Sequence, residues 1–193
     1  MLRTTIDLDA IAHNTRRLRE QTSAELMCVV KADAYNHGVE RCVPVMEAGG
    51  ADAFGVATFA EARRVRELTT KPVLAWLWDP QEELPAGVDV GVPSFTHLQS
   101  LIDAPMAPTA YLKVDTGMHR SGIDEVRWQE AFELALDAQR KGKLTVAGLM
   151  THLSCADDPA DPYTDQQAAA FRRAIAQARQ VGLEVPPVSY THL

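Results

Sequence analysis

The sequence predicts an α/β fold, a parallel (β/α)8 barrel of TIM type that is incomplete in this chain. Three observations carry that expectation. Short apolar runs of strand length alternate with helical patterns along most of the chain, and strand-then-helix repetition builds a parallel sheet. No Gly-x-Gly-x-x-Gly turn follows any of these runs, which favours a barrel over a dinucleotide-binding sheet. The chain has 193 residues, fewer than the roughly 250 of a complete eight-fold barrel.

Taken in order, a short extended start leads into a helix over Asp9–Gln21, with Asp9 as its N-cap and Ile11, Asn14 and Leu18 on related faces. Its basic run reads as a solvated face. Strands are expected at Leu26–Val30, Ala53–Ala57, Val73–Leu77, Val88–Val90, Tyr111–Val114 and Val146–Met150, each an apolar run bounded by turn-forming or polar residues. Between them lie helical patterns over Val39–Ala48, Phe59–Leu68 and Val126–Arg140. The Pro- and Asp-rich segment Cys155–Tyr163 reads as a loop before a long helix over Asp165–Val181, and Pro186-Pro187 ends that helical region. Val188–Leu193 begins another strand with no successor, so the sequence is expected to be truncated. With neither a linker nor a repeat, residues 1–193 read as one domain.

Bulk properties narrow the function. The net charge is 19 − 26 = −7, with basic residues scattered through the helices rather than gathered in a stripe, which argues against nucleic acid and for a small-molecule site. Cys28, Cys42 and Cys155 are odd in number and widely spaced, indicating neither a disulfide framework nor a structural zinc site, and no metal site is expected. The start carries no signal-like apolar core and no later run has the length of a membrane span, so the expectation is a cytoplasmic protein with no membrane partner.

Three segments put chemistry at strand exits. In Val29-Val30-Lys31-Ala32-Asp33-Ala34-Tyr35-Asn36-His37-Gly38 an apolar run ends in a lysine. The carboxyl ends of barrel strands face the active site, and a lysine amine stripped of its proton can form a Schiff base. The plainer alternative is a rim lysine reaching solvent. In Tyr111–Ile123 the same placement recurs: strand alternation sets Lys113 and Asp115 on one face, while Gly117 and Gly122 let the loop double back to bring Arg120 to the mouth. Two converging cations call for an anion or for a neutral or modified amine. The plainer alternative pairs Lys113 with Asp115 and leaves Arg120 solvated. In Gly148–Ser154 an apolar strand ends at His152, a position more often structural than catalytic.

The first segment closely resembles the lysine motif of alanine racemases, with Asn36 where a glycine is usual; asparagine tolerates left-handed backbone angles. The second resembles their Lys-x-Asp-Thr-Gly-Met-x-Arg-x-Gly pattern, with His119 at a variable position, read here as a loop histidine. Ile6–Ile11 with Asn14, and Phe54–Ala57 with Glu61-Ala62, resemble the family's opening and its next strand and helix. The likeness runs from the first residues to about Pro187, while the last six residues match poorly.

The resemblance implies a pyridoxal 5'-phosphate enzyme that interconverts L- and D-alanine and supplies D-alanine for peptidoglycan. Lys31 would carry the cofactor and act as the base on one face of the α-carbon. Tyr35 would bind the cofactor phosphate, Lys113 would be carbamylated, Arg120 would bind that carbamate, the cofactor's phenolic oxygen and substrate, and His152 would lie against the cofactor ring. Family members are homodimers whose second acid/base group is a tyrosine of a C-terminal β-domain. That domain is not in this sequence, and none of Tyr111, Tyr163 and Tyr190 fits the role, so the chain is expected to be catalytically incomplete alone. Three rival readings are a single-domain pyridoxal-phosphate homeostasis protein, a metal-dependent hydrolase barrel built on a carbamylated Lys113 with His152 as a ligand, and a non-catalytic interaction protein.

Overall fold

A computed structural model describes residues 3–158 and 160–185, with the backbone of 188–191. The expectations resting on the first two residues, on Pro186-Pro187 and on His192-Leu193 lie outside the described residues. The chain forms two compact units, Met1–Trp78 with Glu83–Asp89, and Asp79–Glu82 with Val90–Leu193.

The first unit opens with α1 (Leu8–Gln21), capped by Asp7, whose carboxylate accepts from Ala10 N at 3.0 Å. The cap is thus Asp7 and not Asp9: residue 7 has extended backbone, and Asp9 already sits in the first turn, where its charge suits the helix dipole. The expected apolar face also shifts, since Leu18 is exposed and Thr15 is the buried residue of this helix. Strands β1 (Met27–Val29), β2 (Ala53–Val56) and β3 (Val73–Ala75) run parallel, with Met27 opposite Ala53 and Phe54 opposite Val73. The ladder continues past their ends, Val30 N donating to Gly55 O and Leu77 N to Ala57 O, which accounts for the longer apolar runs in the sequence. Helix α2 (Val39–Ala48) has its expected bounds. Helix α3 (Phe59–Arg66) starts with a capping box in which Thr58 and Glu61 exchange side-chain-to-backbone bonds, a pairing that satisfies two amides the helix cannot. Phe59 stacks on Trp78 with ring centroids 5.5 Å apart.

In the second unit β4 (Asp89–Val92), β5 (Thr109–Lys113), β6 (Thr145–His152) and β7 (Val188–Thr191) pair in parallel in that order. The β5–β6 register shifts between Ala110 and Tyr111, so that β6 carries one extra residue there. Helices α4 (Phe95–Asp103), α5 (Trp128–Arg140, entered through a 3-10 turn at Glu125–Arg127) and α6 (Tyr163–Val181) connect the strands. Helix α4, capped by Ser94 and burying Leu98 and Leu101, is not among the sequence expectations. Leu112, Lys113 and Val114 are all buried. Such burial of successive residues is the mark of a parallel sheet covered on both faces, and it explains why the strands read as apolar runs rather than alternations.

Candidate active site

Lys31 lies two residues past the end of β1 and is half-buried. The chain then does something its composition gives no hint of. Ala32, Asp33, Ala34 and Tyr35 all have φ between 51° and 57° and ψ between 42° and 52°, and Asn36 follows at φ 68°. This is one turn of left-handed helix, made without a single glycine, at a cost of about 1–2 kcal/mol per residue. The expectation of a left-handed Asn36 is correct but understated. The winding turns the Tyr35 side chain back so that Lys31 Nζ stands 5.6 Å from its ring centroid.

Local bonds close the turn: Ala34 N donates to Val30 O at 2.9 Å, and Gly38 N to Asp33 O at 3.0 Å. The Asp33 carboxylate accepts from Val39 N, the start of α2, and pairs with Arg64 Nη2 at 3.1 Å. Glu61 of α3 accepts from Ala32 N at 2.9 Å on one oxygen, and from Ala57 N and Thr58 N at 2.8 and 3.1 Å on the other. Partial burial raises the Tyr35 phenol above its ordinary value, so it is a hydrogen-bond donor at neutral pH.

In the second unit Lys113 ends β5 with 7% of its surface exposed. Burial first, and then the Arg120 guanidinium, push its amine below the ordinary lysine value, against the pull of Asp115. The Arg120 guanidinium is thus near enough to act on the Lys113 amine through its charge. Among the described residues no carboxylate lies within 4.0 Å of the Lys113 amine. Asp115 is committed elsewhere, accepting from Gly117 N (2.9 Å), His119 N (3.1 Å) and His119 Nδ1 (3.0 Å). Burial would raise this carboxyl, but those bonds outweigh it and hold it below the usual range. The loop does double back: Ile123 N donates to Lys113 O and Asp115 N to Ile123 O, with Gly117 and Gly122 at φ 130° and 133°. His119 is a loop residue, as expected, and braces Asp115.

His152 closes β6. Its carbonyl accepts from Gln167 Nε2 of α6, whose other bonds reach Thr116 Oγ1, Ser154 N and Ser154 Oγ. Thr116 in turn bonds Thr151, which donates to Val114 O. Gln167 is fully buried and thus ties the exit of β5 to the exit of β6. Sequence reading gave no sign of it, as a glutamine within a polar helix carries no motif. Glu61 was legible, since Thr58-x-x-Glu61 is a capping-box pattern, but its bond to Ala32 was not. Among the described residues no three His, Cys, Asp or Glu side chains gather as a metal-binding set, and no helix is long and apolar enough to cross a membrane.

Comparison with known proteins bears on the family and the fold. The family described as "Alanine racemase, N-terminal domain" matches residues 6–192. An alanine racemase of Corynebacterium efficiens is 53% identical over 195 residues, covering 96% of this chain and 52% of the relative. The crystal structure of alanine racemase from Corynebacterium glutamicum superposes with a TM-score of 0.89 at 48% identity, over 95% of this chain and 54% of that one. An alanine racemase from Bacillus anthracis with bound L-Ala-P gives 0.81 at 25% identity, over 96% and 50%. The chain spans about half the length of the curated relatives it matches. These solved folds make the parallel strands and helices part of an incomplete α/β barrel, and the chain belongs to the alanine racemase N-terminal domain family.

Proposed function

We propose that this chain is the cofactor-binding part of an alanine racemase, which interconverts L- and D-alanine with pyridoxal 5'-phosphate and supplies D-alanine for peptidoglycan. The observation that carries this reading is the placement of Lys31 at the exit of β1, with Tyr35 folded back beside it by the left-handed turn, in a chain of this family. The residues present suit the cofactor. Lys31 offers an amine for its aldehyde, the exposed and protonated Tyr35 a donor for its phosphate, and His152 a ring for its ring. Burial and Arg120 favour a neutral Lys113 amine. A neutral amine adds to carbon dioxide with loss of one proton, and the resulting carbamate would be the anion that Arg120 faces.

Pyridoxal phosphate, when bound, supplies the electron sink for the α-carbanion of the amino acid. Lys31 then holds and moves the α-proton on one face of the substrate. Arg120 orients substrate and the cofactor's phenolic oxygen. Racemisation requires a second acid/base group on the opposite face, for which this reading calls on a tyrosine of the partner subunit in a homodimer. The chain alone is accordingly expected to bind cofactor without racemising alanine.

The test is borohydride reduction of the purified chain with pyridoxal phosphate, followed by peptide mapping. An adduct on Lys31 that vanishes in Lys31→Ala supports the reading; an adduct confined to other lysines overturns it. Interconversion of L- and D-alanine by the 193-residue chain, abolished by Lys31→Ala, would overturn the expectation that the chain alone does not racemise alanine.

A further inference from the structure

We infer that Glu61 is a positioning residue for Lys31, acting through the amide of Ala32 to hold the lysine's left-handed turn against the start of α3. The inference rests on the proposed role of Lys31 as cofactor carrier and concerns how that lysine is kept in place.

A left-handed turn of four residues other than glycine does not hold by itself. Ala32, Ala34 and Tyr35 gain nothing locally from positive φ, and alanine is among the best formers of the opposite hand. Strained backbone persists when its surroundings over-determine it. Those surroundings come from one face of α3. Glu61 and Arg64, one turn apart, reach the turn at neighbouring points: Glu61 takes the Ala32 amide, and Arg64 pairs with the Asp33 carboxylate and with Glu40 of α2. Ala32 is the residue after Lys31, so its amide belongs to the peptide plane that begins at the lysine carbonyl.

The division of labour on Glu61 is what makes the inference specific. One oxygen serves Ala57 N and Thr58 N, which is the work of the helix cap; the other serves Ala32 N alone. A carboxylate can do both because both oxygens accept. A glutamine cannot, since its amide nitrogen donates, and whichever way it turns one side meets donor against donor. The cap can be weakened separately. Thr58 Oγ1 accepts from Glu61 N at 3.3 Å, so Thr58→Ala loosens the helix start and leaves the Ala32 bond intact.

The experiment compares wild type, Glu61→Gln, Glu61→Ala and Thr58→Ala in two readouts. The first is amide hydrogen exchange over residues 32–38 without cofactor. The second is the rate of borohydride-trapped pyridoxal phosphate adduct at Lys31, relative to that at the surface residue Lys141 in the same sample. Glu61→Gln should raise exchange across the turn and lower relative labelling of Lys31, each by about tenfold, as the loss of one hydrogen bond to a charged group implies. Thr58→Ala should move neither by more than about twofold. Equal effects of Glu61→Gln and Thr58→Ala, or none from Glu61→Ala, which removes the Ala32 acceptor outright, would overturn the inference and reduce Glu61 to a helix cap. If wild-type Lys31 takes no label at all, the cofactor reading fails, and the exchange data alone decide whether Glu61 holds the turn.

Discussion

At the scale of single residues, the two ends of this chain's behaviour are set by where a side chain cannot go and where a charge does not want to be. A Cβ on Gly122 would stand 2.6 Å from Asp115 N and 2.8 Å from Val114 C, whereas one on Gly142 would meet nothing within 4 Å. Both glycines have positive φ. Gly142→Ala should therefore cost only the conformational penalty, about 1 kcal/mol, while Gly122→Ala should cost about 3 kcal/mol or more because the Val114–Asp115 backbone, whose Asp115 N donates to Ile123 O, must move to make room. Urea unfolding of the two variants checks the ordering. Asp89 gives the opposite case. Burial, only partly offset by Arg66, raises its carboxyl to about 6. A raised acid is a folding cost wherever it must ionise, so stability should fall as pH rises from about 4, the ordinary aspartate value, to about 6. Asp89→Asn mimics the protonated form, so it should stabilise the chain by about 1 kcal/mol at pH 8 and leave it unchanged at pH 4. Denaturant midpoints at the two pH values test this, and an equal effect at both would place its origin outside the ionisation. Gly122 was legible in the sequence as a residue that lets a loop return; the Asp89 effect was not, because it depends on what covers a strand start.

At the scale of elements, the sequence showed most strands and helices because each carries its own local signal. Val39–Ala48 is helical over the bounds that its pattern predicts, and Phe59–Arg66 follows from its capping box. Handedness carried no such signal. Ala32 to Tyr35 would wind right-handed on intrinsic preference, and the contacts that oppose it come from Glu61 and Arg64, about thirty residues on. The same holds for the exits of β5 and β6, which are joined by Gln167 on an amphipathic helix whose core residues, Ala170, Phe171 and Ala174, were the legible part. Replacing Gln167 with leucine roughly keeps the volume but removes the acceptor of Ser154 N and Ser154 Oγ and one donor to the His152 carbonyl. The expected loss is about 2–3 kcal/mol, read in urea melts, with amide exchange rising at Ser154. A loss below about 1 kcal/mol would mean that water replaces the glutamine and that the two exits hold without it.

At the scale of the whole chain, the fold class was legible because both-face burial turns parallel strands into apolar runs, and that signal adds up over many elements. The edges of the sheet bear on association. Among the described residues, β1 pairs with β2 alone and β7 with β6 alone in the sheet order. Edge strands present unpaired backbone groups that invite another copy, and β1 is made of Met27, Cys28 and Val29, which offer no charge to discourage one. Opposing this is the net charge of −7, which favours separate molecules for as long as it is unscreened. Screening should then decide between the two. Raising salt from about 0.01 M to about 1 M shortens the Debye length from about 30 to about 3 Å, and sedimentation velocity across that range reads the outcome. The weight-average mass should rise with protein concentration at the high-salt end and stay near monomer at the low end, with β1 amides gaining protection from exchange in the associated form. A single monomeric boundary across the whole range would mean that the edges are blunted by something other than charge. Association that weakened with salt would instead point to contacts between oppositely charged surfaces rather than to strand edges.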